Sequence, residues 1–157
     1  KPDRIIDQDT KFNLGNHQFL LTYFGKVHSE GDMSLLSLND QTLYSGDIIF
    51  EGRIPFVGDA DIIKWSKTLD RVRNIEMEYF VPGHGSASDQ PQETMDLTYR
   101  YLNFLLKQLT TVVDEMTPFD EAYQAIDWSE FEDEPAFDAA NRKNAYAVYL
   151  YLERVME

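Results

Sequence analysis

The sequence has no cysteine among its 157 residues. Disulfide bonds and thiolate metal ligands are therefore excluded. Because cysteine-free proteins occur in both the bacterial periplasm and the cytoplasm, this absence leaves the compartment open between the two.

Positive charge and long apolar runs are also scarce. Lys and Arg number 14 against 28 Asp and Glu, so the formal net charge is −14. A phosphate backbone would be repelled by this charge, and we expect no nucleic-acid partner. No apolar stretch has the length of a membrane-spanning helix, which predicts a soluble protein without a membrane partner.

Apolar residues make up 43% of the chain and aromatic residues 13%, which is typical of a globular protein. A chain of this length can bury one core. The first half has the pattern of β-strands separated by turns. Strands are predicted at residues 4–6, 11–14, 17–25, 33–38, 42–45, 48–50 and 77–81.

The remaining segments have the apolar spacing of helices. One helix is predicted after Asp59 as its N-cap, carrying Trp65 on its buried face. A long helix begins at Pro91, another begins after Thr117 as N-cap, and the last covers residues 137–155. Met116 and Val155 are predicted to lie on apolar helix faces.

Three short strings each place one metal-binding side chain beside a glycine, just after a predicted strand. They are residues 28–31 (HSEG), 45–47 (SGD) and 82–85 (PGHG). Taken singly, each string is a common loop or turn. Together they supply two imidazoles and a carboxylate, which are ligands suited to zinc.

In this order, the three strings resemble motifs of metallo-β-lactamase-fold hydrolases. The resemblance implies that His28 completes a first metal site, that Asp47 bridges two metals as the catalytic carboxylate, and that His84 belongs to the second site. It implies two zinc ions per complete site, with iron as an alternative. It also implies hydrolysis of a small-molecule substrate by a metal-bound hydroxide. Residues 50–61 further resemble the quinoprotein-relay or sulfur-oxidation branch of zinc metallohydrolases.

The opening motif of that family, His-x-His-x-Asp-His, is absent, because the only histidines are His17, His28 and His84. We therefore expect an α/β (α+β) fragment, the C-terminal βα half of an αββα sandwich. Residues 1–88 would form this half, and residues 89–157 a helical extension packed on it. Alone, the chain is expected to bind metal weakly or not at all, to be inactive, and to form a homo-oligomer through its exposed sheet face.

Other assignments remain open at this point. Arg53 is either a binding group for an anionic substrate or an exposed loop residue. Asp32 is either a partner of a ligand histidine or a carboxylate at a strand entry, and His17 is interpreted as structural. The alternative functions for the chain are a non-catalytic dimerisation or binding module, or a fragment of a glyoxalase-II-type thioesterase or of an iron sulfur dioxygenase.

Overall fold

The computed structural model describes Asp3 and residues 5–156. These residues form a five-stranded sheet and four helices, which confirms the predicted mixed α/β class. The strands lie in chain order: β1 (Thr10–Leu14), β2 (His17–Gly25), β3 (Asp32–Ser37), β4 (Thr42–Phe50) and β5 (Tyr79–His84). The helices are α1 (Ile62–Arg73), α2 (Pro91–Asp114), α3 (Phe119–Ala125) and α4 (Phe137–Met156).

The first four strands form an antiparallel meander, and α1 is the crossover that returns the chain to place β5 parallel to β4. Strand β4 is one continuous element, where two strands were predicted. The strand predicted at 77–81 begins later and extends through His84. His84 is therefore the last residue of a strand, held in the sheet, and does not lie in the following loop.

The strand predicted at residues 4–6 is wrong for Ile5 and Ile6, and Arg4 lies outside the described residues. The pairing of β1 with β2 ends at Thr10 and Leu21. Beyond this pair, the Asp9 side chain accepts a hydrogen bond from the Tyr23 amide (2.8 Å). A side chain thus takes the place of the next backbone partner, and the ladder cannot continue.

Several helix ends also differ from prediction. The N-cap of α1 is Asp61 and not Asp59, because the Asp61 carboxylate accepts a hydrogen bond from the Lys64 amide (3.0 Å). Pro118, not Thr117, is the N-cap of α3. Met116 is 87% exposed in a left-handed turn after α2, and Val155 is 48% exposed in the last turn of α4.

The two faces of the sheet have different surroundings. One face is covered by the helices and buries Phe24, Leu36, Leu43 and Phe80. The opposite face is also apolar but only partly buried. Because paired residues share a face, this outer face is formed by two rows of neighbouring side chains. These are Phe12 opposite Phe19, and Leu21 opposite Leu35, which in turn is opposite Tyr44.

The core is continuous between the sheet and the C-terminal helices. Leu69 of α1, Met95 and Leu102 of α2 and Val148 of α4 belong to the same buried cluster. The division into residues 1–88 and 89–157 stays a prediction. Within the described part of the chain, no helix combines the length and apolarity needed to cross a membrane.

A buried asparagine connects the loop after β4 to the helices. Asn144 of α4 is fully buried, accepts a hydrogen bond from the Val57 amide (2.9 Å) and donates to the Pro55 carbonyl (2.7 Å). It also donates to the Tyr101 hydroxyl (3.1 Å), which donates to Asn141 (2.8 Å). Burial raises the pKa of Tyr101 far above its usual range, so this hydroxyl stays protonated.

Candidate metal centre

Two of the predicted ligands meet where β4 and β5 run side by side. The His84 Nε2 atom lies 3.5 Å from Asp47 Oδ1, and both side chains are about half exposed. Asp47 lies within β4 and His84 ends β5. The parallel pairing of these strands therefore brings an imidazole and a carboxylate to one position that is open to solvent.

A backbone irregularity at Gly46 explains why Asp47 faces outward. Leu43 and Ser45 are buried on the helix-covered face, so strict alternation along β4 would also turn Asp47 toward the helices. Gly46 has a φ of +58°, and the pairing with β5 shifts register on both sides of it. This shift, which glycine permits, leaves Asp47 exposed and returns Ile48 to the core.

Gly83 is required by the close approach of the two strands. A Cβ atom at this position would lie 2.3 Å from Asp47 Oδ1 and 2.5 Å from the Gly46 carbonyl carbon. Any side chain here would therefore displace the carboxylate or separate the strands. The glycine that precedes His84 in the sequence motif thus serves the Asp47 position.

Glu51 fixes the backbone on both sides of the His84 peptide, a role that sequence analysis missed. Its amide donates to the His84 carbonyl (2.9 Å), and its carboxylate accepts from the Ser86 amide (3.0 Å). A Cβ atom on Gly85 would lie 2.3 Å from the same carboxylate. The glycine after His84 therefore makes room for Glu51.

Phe50 is the common wall of the two histidines. The His84 ring stacks on Phe50 with centroids 4.6 Å apart, and the His28 ring meets Phe50 edge-on at 5.5 Å. The Phe50 amide donates to Thr98 Oγ1 (3.1 Å), and that hydroxyl donates to the Phe50 carbonyl (2.9 Å). Helix α2 thus holds this residue at two points. Nothing in the local sequence distinguishes Phe50 from other core residues, so it was not predicted.

His28 lies deeper than the other two. Its ring also packs against Trp65 (5.1 Å), and its Nδ1 atom is buried without a hydrogen-bond partner. Trp65 is itself fully buried and donates from Nε1 to the Ile48 carbonyl (2.9 Å). A buried imidazole nitrogen without a partner costs free energy, and among the described residues only the Ser34 hydroxyl shares this condition.

Asp32 holds the loop that carries His28, and it does so through the backbone. Its carboxylate accepts hydrogen bonds from the Val27 amide (3.1 Å), the Ser29 amide (2.8 Å) and the Ser29 hydroxyl (2.7 Å). These three bonds fix the residues on either side of His28. Asp32 therefore positions the loop rather than the imidazole ring.

The two remaining candidates are Arg53 and His17. Arg53 is exposed in the turn after β4, and its role in substrate binding stays a prediction. His17 lies at the start of β2, where its Nδ1 is 3.7 Å from Asp40 Oδ2. That surface pair resembles the Asp47–His84 pair in composition and spacing.

The three predicted ligands, His28, Asp47 and His84, supply only part of the ligands that a metal ion needs. Asp47 and His84 can approach one ion together, whereas His28 lies on a different side of Phe50. Among residues 3 and 5–156, no group of three His, Asp or Glu side chains is arranged to hold a metal. Because a zinc site takes four ligands, these residues do not form a complete centre by themselves.

Comparison with known proteins places the chain in a family. The model of the family described as "Metallo-beta-lactamase superfamily" matches residues 1–84. A metallo-beta-lactamase type 2 from Elizabethkingia meningoseptica is 28% identical over 103 residues, covering 61% of this chain and 41% of that protein. A beta-lactamase-like protein 2 homolog from Drosophila melanogaster is 35% identical over 69 residues, covering 41% of this chain and 23% of that protein.

Solved structures show the same fold. A metallo-beta-lactamase from Pontibacter korlensis matches with a TM-score of 0.57 at 23% identity, over 65% of this chain and 49% of that one. The sec-alkylsulfatase Pisa1 from Pseudomonas sp. matches with a TM-score of 0.74 at 13% identity, over 94% of this chain and 26% of that one. The chain thus spans less than half the length of the curated relatives above. Since the family model matches more than half of this sequence, the chain belongs to the metallo-beta-lactamase superfamily.

Proposed function

We propose that this chain supplies part of the metal site of a hydrolase that acts on a small-molecule substrate. The observation that carries the proposal is the Asp47–His84 pair (3.5 Å), together with the Phe50 ring that both His84 and His28 contact. The three residues lie in family motifs, within the segment that the family model matches.

The roles of the three side chains are those that the family resemblance implies. We assign His28 and His84 to different metals and place Asp47 between them. Zinc suits two imidazoles and a carboxylate, and iron is the alternative. A metal bound here would supply Lewis acidity and lower the pKa of bound water. Phe50 and Trp65 keep water from the buried side of His28, while Asp32 and Glu51 hold the backbone of the two histidines.

The remaining ligands would come from outside these 157 residues. The chain has only three histidines, and His17 lies with Asp40 away from the pair. Metal binding by the isolated chain would therefore be weak, and we expect no hydrolytic activity from it.

Zinc titration followed by two-dimensional NMR tests this proposal. We expect weak binding, with a dissociation constant of about 0.1 mM or above, since at most two or three of four ligands are present. Resonances of Asp47 and His84 should shift with zinc, and Asp47→Asn should abolish the shift. The His17–Asp40 pair, with 3.7 Å between its atoms, is the internal control and should respond less.

Two results would contradict the proposal. Equal responses at the two His–Asp pairs would mean that zinc recognises any surface pair of this kind. Tight binding of a full equivalent of zinc by the isolated chain would mean that the site is completed within the chain or by a second copy. Elemental analysis after desalting measures the amount of zinc that stays bound per chain and would detect the second result.

A non-catalytic binding module is the second candidate. It is favoured by the lack of a three-donor set among the described residues. In that case, no zinc response localised to Asp47 and His84 is expected.

We further propose that two copies of the isolated chain associate, each covering the outer sheet face of the other. The face is apolar, carries the stacked pair Phe12–Phe19 (5.3 Å), and leaves Tyr44 44% exposed. A second sheet of the same shape can pack on it face to face. The structures described above extend well beyond the part that matches this chain.

Light scattering tests this association. The chain is expected to have about twice the monomer mass at high concentration, and Tyr44→Lys should shift it to the monomer, because a charge would be buried in the interface. Leu150→Lys is a matched control, since Leu150 is similarly exposed (46%) but lies on α4. A monomeric unmodified chain, or an equal effect of both variants, would contradict the proposal.

A further inference from the structure

A cleft between α4 and the loop after β4 gathers positive charge in an otherwise acidic protein. Its walls carry Lys26, Lys143 and Arg154, whereas Asp59 is the one acidic side chain among its lining residues. Three of the 14 cationic residues of the chain thus face one cleft, against a formal net charge of −14. Such a concentration of one sign attracts an anion.

The floor of the cleft is apolar. Val57, Ala60, Ile62 and Val148 line it, and all four are at most 4% exposed to solvent. Cations at the rim and aliphatic side chains on the floor form an amphipathic cleft. Its chemistry suits a ligand with an anionic group and an apolar body.

The walls are held in place by hydrogen bonds. The Asp61 amide donates to the Val27 carbonyl (2.8 Å), and Tyr151 Oη donates to Asp61 Oδ1 (2.7 Å). Burial and the neighbouring Asp61 raise the pKa of Tyr151 to about 12, so the hydroxyl stays protonated and keeps this bond. Together with Asn144 on the Val57 amide (2.9 Å), these contacts form the cleft before any ligand arrives.

The cleft is continuous with the surroundings of His28. A neighbouring depression shares Lys26, Val57, Gly58 and Asp59 with it and extends to His28. That depression also contains Glu30, which lies 3.4 Å from Lys26. The positive charge is therefore greatest at the α4 end, around Lys143 and Arg154, and decreases toward His28.

We propose that this cleft binds an organic anion, a carboxylate or sulfonate with a short apolar body, and that the cationic side chains along α4, Lys143 and Arg154, attract its anionic group. If the proposed metal site is correct, the cleft would orient the remote end of such a substrate while its reacting end approaches His28. Only this role as a substrate subsite rests on the proposed function, since anion binding itself requires no metal.

Titration of the metal-free chain with hexanoate, followed by two-dimensional NMR, tests the inference. Saturable shifts are expected at residues 57–60 and 143–154, and hexan-1-ol at equal concentration should bind more weakly. The double variant Lys143→Gln/Arg154→Gln should weaken hexanoate binding about fivefold, because it removes two of the three exposed cations that line the cleft. Both side chains are exposed, so the fold should be retained.

The matched control is Lys67→Gln/Lys107→Gln, which removes two exposed cations outside the cleft. An equal loss of affinity in the control would show that net charge alone decides binding. Equal affinity for hexan-1-ol, or no saturable shift at the two segments, would also overturn the inference. Because zinc is absent, these outcomes leave the zinc titration independent, and each proposal can fail without the other.

Discussion

Phe50→Ala is expected to lower the free energy of unfolding by about 3–5 kcal/mol, the usual cost of removing a buried aromatic side chain. Phe50 is 4% exposed, and its ring contacts those of His28, Trp65 and His84. The substitution would leave a cavity among these rings. It would also remove the surface on which both histidines rest, although neither histidine is itself changed.

Urea unfolding measures the loss of stability, and Phe56→Ala is its control. Phe56 is six residues away and 54% exposed, so its truncation should cost less than about 1 kcal/mol. In the folded Phe50 variant, the zinc-dependent shifts at His84 should weaken, because the ring no longer has a stacking partner. A loss of stability as small as that of the control would contradict the role assigned to Phe50.

Asn144→Leu is expected to lower the free energy of unfolding by about 2–5 kcal/mol. The substitution keeps the approximate size of the side chain but leaves the Val57 amide and the Pro55 carbonyl without their buried partners. Each buried group left unsatisfied costs about 1–3 kcal/mol. The Tyr101 hydroxyl also loses the hydrogen bond that it accepts.

Asn74→Leu is the matched control for this prediction. Asn74 is exposed at the end of α1 and donates to the Asp70 carbonyl (2.7 Å), so water can replace the lost bond. Its substitution should cost less than about 1 kcal/mol in the same urea experiment. Hydrogen exchange should further show that Asn144→Leu exposes the amides of residues 56–60, whereas the control leaves them protected. Unchanged protection in that segment would contradict the connecting role of Asn144.

The sequence by itself determined which segments form strands and helices, because alternation and helical spacing depend on local apolar patterns. Strand β2 and the start of α2 at Pro91 agree with prediction. The predictions that were wrong concern positions whose structure depends on a hydrogen-bond partner. Ile5 and Ile6 have strand-forming side chains, but the ladder ends where the Asp9 side chain binds the Tyr23 amide. The α1 N-cap was predicted at Asp59, but it is Asp61 whose carboxylate accepts the hydrogen bond from the Lys64 amide.

The three motifs, with the family resemblance they carry, also came from sequence alone, because each couples a metal-binding side chain to a glycine. Only the tertiary structure decided why those glycines are needed: Gly83 makes room for Asp47 and Gly85 for Glu51. It alone brought both histidines onto the Phe50 ring and placed Lys143 and Arg154 in the same cleft as Lys26. These relations join residues far apart in the chain, and no local pattern records a distance that is created only when the sheet and helices pack.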